Sequence, residues 1–408
     1  MLTHTLSDDA NRVIVIGAGL AGSSAAAVLV KQNVPVTLID PRSECPPVFK
    51  AEKIESHQAG ILRRLGLLEL LLPFAGRIHE IRGHYNGRLV RITRTEQYGV
   101  FYRDMVNAIR TSALNGAEFK PNRVLRIASG PDVQRVVLDN GEELSARLIV
   151  LASGLGPGLP VGLGWKREMI RMHHSIAIAH MLTPRSGASF PFDAVTYFSI
   201  GRTPGLDYLT LFKIGNAMRA NLFFFPRPAA DGAWTRRFLD APEKQLEACF
   251  PQLRRGIGDY SITGRVESSI IHLYRTQGEQ PHGVVMIGDA AQNACPSTGM
   301  GLSKVFTDVE LLCKYVPQWL ATGGMGRDKL SAFSNDPRKL CTDNEALRSA
   351  HYRRNTCTGT SWRSRLHRAR LHFEMQFGGR TIAVDDNREP WTLQPTSDAE
   401  RYRAPLMA

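Results

Sequence analysis

Residues 12–40 read "RVIVIGAGLAGSSAAAVLVKQNVPVTLID". A β-branched run leads into Gly17, Gly19 and Gly22, an alanine-rich stretch follows, and after "KQNVP" a second apolar run ends at Asp40. This order of strand, glycine turn, helix, strand and acid predicts a dinucleotide-binding βαβ unit. Gly17 allows the tight turn, Gly19 lets backbone approach a pyrophosphate, and Gly22 lets the helix lie close on the sheet. The helix N-terminus favours the phosphate charge. Asp40 follows Gly22 by 18 residues, where a carboxylate accepts hydrogen bonds from an adenosine ribose. A turn that binds nothing is the bland alternative, and the motif alone does not separate NAD from FAD.

The wider chain sets limits around this unit. It has 408 residues, 43% hydrophobic and 22% charged, enough for two domains or one large α/β domain with insertions. Residues 13–30 are uncharged and approach the length of a membrane span. Three glycines and two serines inside that run predict instead a buried strand and a small-residue helix. The six cysteines are scattered with no C-x-x-C pair, which predicts free thiols in a reducing cytoplasm. "MLTHTLSDDANR" carries acids where a signal peptide needs positive charge. The net charge of +13 calls for an anionic partner, but zinc-finger spacing, leucine heptads and ribonucleoprotein aromatics are all missing, so nucleic acid is not expected. His173, His174 and His180 have no acid or cysteine at ligand spacing, and no metal is expected.

A second motif lies far downstream, "HGVVMIGDAAQNACPSTGMGLSKVFTDVELLCKYV". "GVVMIG" reads as a buried strand with Asp289 at its carboxyl end. Pro296, Gly299 and Gly301 form a loop into a helix with apolar spacing at Val305, Val309 and Leu312. The two motifs together resemble the FAD-dependent aromatic hydroxylases, the single-component flavoprotein monooxygenases typified by para-hydroxybenzoate hydroxylase. That family carries G-D-A-A-H-x-x-x-P-x-x-G-x-G-x-N, matched here by Gly288, Asp289, Ala290, Ala291, Pro296, Gly299 and Gly301. Gln292 stands for the usual histidine and Ser303 for the usual asparagine.

The resemblance implies FAD as cofactor and NAD(P)H as reductant. Asp289 would bind the ribityl chain, and the loop through Pro296, Gly299, Met300, Gly301 and Leu302 would face the isoalloxazine. Arg103, in "VFYRDMVNAIRTSAL", takes the family's arginine position on the ribityl-phosphate side, with a surface arginine as its alternative. Arg42 would reach the adenine ribose or phosphates, or else sit in a solvated loop. Lys50, Lys53 and His57 match no motif and read as surface or pocket-rim residues. At "LIVLASGLGPGLP" the family's D-G becomes Ser153-Gly154. Gly154 keeps a backbone role there, but the carboxylate tied to FAD and NAD(P)H is missing.

The fold expected is α/β, a Rossmann-like FAD-binding domain with an interleaved β-sheet substrate domain and C-terminal helices. Residues 1–75, 98–165 and 280–325 would form the first, 76–97 and 166–279 the second, 326–380 the helices and 381–408 a polar tail. "DNGE" predicts a hairpin, and "EKQLEACFPQLRRGI" a helix. Tyr197, Phe198, Tyr208, Phe212, Phe223, Phe224 and Phe225 are candidate pocket walls, or sheet core. From Arg338 to Arg370 there are nine arginines and lysines against Asp343 and Glu345. They read as a solvated basic face or as a dock for an acidic partner, a carrier protein or membrane headgroups. Within the family's chemistry, a flavin hydroperoxide transfers one oxygen atom to a small, aromatic substrate. A prenyl-lipid-type flavin reductase or dehydrogenase stays open, as does a degenerate FAD-holding protein. A flavin halogenase shares the scaffold, but its W-x-W-x-I-P signature is absent from the chain.

Overall fold

The computed structural model describes residues 11–187, 189–200, 203–226 and 231–384. Its first layer is a five-stranded parallel sheet in the order Val284–Met286, Leu148–Leu151, Val13–Ile16, Val36–Ile39, Glu118–Lys120. The strand opening the quoted motif lies at its centre, where both faces are covered. Its four residues are therefore all apolar and buried.

The glycine-loop helix, Leu20–Lys31, runs against this sheet and is buried through its first ten residues. Only small side chains permit that approach. A Cβ on Gly22 would lie 1.8 Å from the Gly17 carbonyl oxygen, and one on Gly17 2.5 Å from that of Ala152. Gly17 also has φ +100°, which L side chains rarely adopt. Helix Tyr102–Leu114 and the long helix Met300–Leu320 pack onto the glycine-loop helix and complete this core.

The second layer is a large sheet. Its order is Tyr260–Gln277, Lys166–Pro184, Ala217–Phe224, Leu206–Ile214, Ala194–Phe198, Gly76–Tyr85, Arg88–Gly99, Thr381–Val384, with Lys53–Ile54 also paired to Arg88–Gly99. Side chains alternate between its faces. Met218, Ala220, Leu222 and Phe224 turn toward short helices carrying Phe238, Leu246 and Phe250. Arg219, Asn221 and Phe223 therefore take the other face. The helix expected over "EKQLEACFPQLRRGI" is two helices, Pro242–Cys249 and Leu253–Ile257. Pro251 cannot donate an amide and Gln252 takes φ +63°, so the run cannot continue. The "DNGE" turn joins Gln134–Leu138 to Glu143–Ala146 in a separate three-stranded sheet.

Helices Arg327–Ser334, Pro337–Thr358 and Trp362–Phe377 close the described chain. Residues 381–384, read from sequence as tail, form an edge strand, and 385–408 lie outside the described residues. The basic stretch 338–370 is not one open face. Arg338 pairs with Glu310, Lys339 with Asp308, and Arg353 with Asp207. Arg354 donates to the carbonyls of His174 and Pro226, and Arg368 to those of Thr356 and Gly359.

Gly22→Val should cost about 1–3 kcal/mol, because backbone rather than a flexible side chain occupies the space it needs. Urea denaturation of the two proteins measures this, and unchanged stability would contradict the close packing.

Candidate functional site

The glycine loop is held from two sides. Asp40 accepts from the Ala18 amide at 2.9 Å and from the Arg42 amide at 2.9 Å. Arg110 reaches in from helix Tyr102–Leu114 and donates to the carbonyls of Ala18, Arg42 and Ser43. The sequence reading missed Arg110. The available signal was a cation on the apolar face formed by Met105, Val106, Ile109 and Ala113. Arg42 itself is exposed, its Nε 3.9 Å from Asp40. Arg103 is also exposed and pairs with its neighbour Asp104 at 3.0 Å.

Gly19 differs from the other two glycines of its motif. A Cβ there would meet only the Tyr102 hydroxyl, at 3.7 Å. Packing therefore does not require this glycine, and the open space lies at the helix N-terminus, where an anion is favoured. The Tyr102 hydroxyl accepts from the Leu20 amide at 3.4 Å. Beside Tyr102 stands Lys50, 5.4 Å from the ring centre and 3.9 Å from Asp289 Oδ2. Burial lowers the Lys50 pKa, but Tyr102 and Asp289 outweigh it and the net direction is up. Lys50 thus lies between the two motifs rather than apart from them.

The second loop meets the first directly. A Cβ on Gly288, φ +62°, would come within 3.0 Å of Ala21 Cβ. The Gly288 amide donates to Asp308 Oδ2 at 2.8 Å, and the Asp289 carbonyl accepts from the Tyr274 hydroxyl at 2.7 Å. The Asp289 carboxylate stays partly open to solvent. Gly299 takes φ +73° with Glu55 so close that a Cβ would lie 2.6 Å from Oε1. Pro296 begins the turn before Gly299, and Met300, whose amide donates to Thr298 Oγ1 at 3.2 Å, begins the long helix. A Cβ on Gly301 would meet nothing within 4 Å, whereas Leu302 is buried in the core.

The two substituted family positions have partners of their own. Ser303 Oγ bonds His57 Nε2 at 2.7 Å and Gln58 Nε2 at 2.8 Å, and Gln58 also donates to the Gly299 carbonyl at 2.9 Å. His57, which matched no motif, therefore borders the loop. Gln292 Nε2 donates to the Asp343 carbonyl at 2.8 Å.

Beneath the loop lies a buried square of charge that the sequence did not reveal. Lys304 Nζ is 3.1 Å from Asp308 and 2.8 Å from Asp343, while Lys339 Nζ is 2.8 Å and 3.1 Å from the same two carboxylates. Burial pushes the Asp343 carboxyl up, but the two ammonium groups outweigh it and hold it low.

Over the loop stands the second sheet. Tyr208 donates to the Ser297 carbonyl at 2.9 Å, its ring 5.0 Å from that of Phe223. Of the seven candidate walls, these two share the face toward the loop. Tyr197 and Phe224 join the core on the other face, Phe212 packs with Ile78 and Ala194, and Phe225 with Leu273 and Cys295. Phe198 lies against Gly83. On the loop-facing side, Arg219 binds both Glu52 oxygens at 2.8 Å and 3.0 Å and Glu267 at 2.6 Å. One guanidinium serves two carboxylates, and burial pushes Glu52 up to about 7 against the pull of Arg219. The neighbouring Asn221 Oδ1 is buried without a partner.

The residues present fit FAD. Gly19, Gly154 and Gly301 leave their Cβ positions open, Gly154 at φ +64°, and the buried Ser153 Oγ has no partner. Gly19 and Gly301 belong to the two motifs, and Ser153 lies beside the first, a Cβ on Gly17 coming within 3.3 Å of its Cα. Arg167 braces the Ser153–Gly154 loop through the Leu155 carbonyl at 2.7 Å, its guanidinium 3.9 Å from the Tyr274 ring centre. His173, His174 and His180 do not converge on a metal centre. Among the described residues, no group of three histidine, cysteine or acidic side chains is placed to hold one.

Comparison with known proteins agrees with this geometry. Residues 10–148 match the family described as FAD binding domain. The fold is similar to p-nitrophenol 4-monooxygenase PnpA from Pseudomonas putida DLL-E4, with TM-score 0.70 and 17% identity over 96% of this chain and 97% of that one. It is similar to pqsL, a probable FAD-dependent monooxygenase from Pseudomonas aeruginosa, with TM-score 0.68 and 16% identity over 86% and 97%. It is also similar to the halogenase PltM, with TM-score 0.66 and 16% identity over 94% and 85%. The resemblance drawn from the motifs is thus borne out in the FAD binding domain and in the fold.

Two outcomes follow from the charges. Lys339→Met leaves two buried carboxylates to one ammonium and should cost about 3–5 kcal/mol in urea denaturation. Glu52 holds its proton to higher pH folded than unfolded. Its contribution is complete below its ordinary value of 4.5 and is lost as pH rises through about 7. Stability of the protein should therefore fall over that window, and Glu52→Gln should flatten the fall in pH-dependent denaturation.

Proposed function

We propose that this chain, built on a FAD binding domain and the fold of the flavin monooxygenases, hydroxylates a small aromatic compound using NAD(P)H and dioxygen. The observation that carries this reading is the junction of the two glycine motifs in one cradle, with the Tyr208 and Phe223 face of the second sheet above it. Bound there, FAD supplies activation of dioxygen with electrons from the reduced nicotinamide. The reaction balances as one aromatic C–H, O2, NAD(P)H and a proton giving C–OH, water and NAD(P)+.

The protein's own part is binding and orientation. Gly17, Gly19, Gly22 and the first turn of helix Leu20–Lys31 take the pyrophosphate, Asp40 and Arg42 the adenosine side. Asp289 takes the ribityl chain, with Lys50 neutralising part of its charge and Arg103 close by in sequence to Tyr102. Pro296, Gly299, Met300 and Gly301 face the flavin ring, and Leu302 anchors the start of the helix in the core. The amides at the start of the 21-residue helix Met300–Leu320 favour negative charge at the ring's edge. Gly154 lets backbone approach beside the unpartnered Ser153 hydroxyl. Tyr208, Phe223 and the Arg219 cluster form the substrate side and exclude water from it. Six scattered cysteines with no C-x-x-C pair support a reducing, cytoplasmic setting.

Purified protein supplied with FAD should oxidise NADH or NADPH faster when the right aromatic compound is added, with matching oxygen uptake. Labelled dioxygen should place one labelled atom in the product. Alkene reduction without oxygen uptake would move the assignment to a reductase, and a halide-dependent halogenated product to a halogenase. Failure to bind FAD would falsify all three.

A further inference from the structure

Helix Trp362–Phe377 is a 16-residue helix with no buried residue. Its apolar side chains nevertheless follow a helical pattern. At about 100° per residue, Trp362, Leu366, Ala369, Phe373 and Phe377 fall within roughly a quarter of the circumference. Four of these are large, and their exposures are 69%, 63%, 64% and 68% for Trp362, Leu366, Phe373 and Phe377.

The back of the helix and its flank on the Arg365 side are the parts tied to the protein. Arg368 donates to the carbonyls of Thr356 and Gly359, His372 bonds the Tyr85 hydroxyl at 2.5 Å, and Gln376 accepts from Asn86 at 2.9 Å. Leu371 and Met375 are half-buried there. The helix is therefore held by its polar contacts with its apolar stripe facing outward, the reverse of a helix that supports a core.

Charge borders the stripe on both sides. Arg363 and Arg370 lie along one margin and Arg365 along the other, and all three are exposed. Between residues 359 and 384 there are five arginines and a single acid, Glu374, which is already paired with Arg370 at 2.7 Å. In the edge strand Thr381–Val384 that follows the helix, Ile382 and Val384 are also exposed, and the paired strand carries the exposed Arg91 and Arg94.

We propose that this helix docks the protein on an anionic lipid surface, lying in the headgroup plane with Trp362, Leu366, Phe373 and Phe377 inserted among the acyl chains. An outward aromatic stripe between arginine margins is the pattern of an interfacial helix. Among the described residues no helix is long and apolar enough to cross a membrane, so the attachment is peripheral. Face-to-face pairing with a second copy fits the charge less well. A second copy would bring only one acid to these margins, Glu374, already held by Arg370, whereas phosphate headgroups complement the exposed Arg363 and Arg365. The inference does not depend on the oxidoreductase reading.

Sedimentation of the full-length protein with lipid vesicles tests it. The protein should pellet with vesicles of phosphatidylcholine containing phosphatidylglycerol, stay in solution with phosphatidylcholine alone, and be released as salt rises. Phe373→Ser/Phe377→Ser should weaken the association about tenfold or more, and Arg363→Glu/Arg365→Glu should weaken it as well. All four side chains are exposed, so circular dichroism and FAD content should match the wild type. Wild-type protein that ignores anionic vesicles, or pellets equally with neutral ones, overturns the proposal. So does a Phe373→Ser/Phe377→Ser protein that pellets like the wild type. Elution as two chains that becomes one in that variant, without vesicle binding, would assign the stripe to self-association instead.

Discussion

The Gly288 amide donates to Asp308, and that one hydrogen bond connects the second glycine loop to the buried square of Lys304, Asp308, Lys339 and Asp343. Four charges removed from water are costly unless each is paired, and here each has two partners of opposite sign. The pairing fixes helix Pro337–Thr358 against helix Met300–Leu320. Gln292, bonded to the Asp343 carbonyl, then fixes the far end of the same loop. The substitution of glutamine for the family's usual histidine is thus part of a packing contact. The second glycine loop is held from below by the buried charges and at its far end by Gln292.

A second constraint comes from the segment 50–58. It crosses from the glycine domain to the large sheet and contributes to each interface on the way. Lys50 stands by Asp289, Glu52 takes Arg219 from the sheet, Glu55 packs on Gly299, and His57 and Gln58 hold Ser303. No local pattern marks this segment, because its side chains answer to partners from about 160 to 250 positions away. A single chain run of nine residues therefore sets the spacing between the two loops and the sheet above them.

The parts legible in sequence were those governed by backbone sterics. Gly17 and Gly22 are required by contacts with the Gly17 and Ala152 carbonyls, and the four buried apolar residues of the first strand are required by a sheet covered on both faces. Such demands act within a short stretch and leave a pattern in it. Asp40 lies at the strand end as expected, yet its partners are the Ala18 amide of the glycine loop and the Arg42 amide two residues further on. The aromatic walls were legible only as a set. Alternation along a strand separates Phe223 from Phe224, but which face meets the loop depends on how the sheet is laid over the other domain.

The sequence by itself determined a βαβ unit with a glycine turn, and a second glycine loop opening a long helix. Both depend on contacts and dihedral angles within a few dozen residues. Tertiary structure alone decided that these loops meet at Ala21 and Gly288, that Arg110 and Lys50 serve them, and that Arg338, Lys339, Arg353, Arg354 and Arg368 are tied to partners within the chain. It also decided that the apolar stripe of helix Trp362–Phe377 turns outward. A charge or ring carries no mark in sequence of what it will face. That is settled only when distant segments compete for the same buried space and each ionised group must find its counter-charge there.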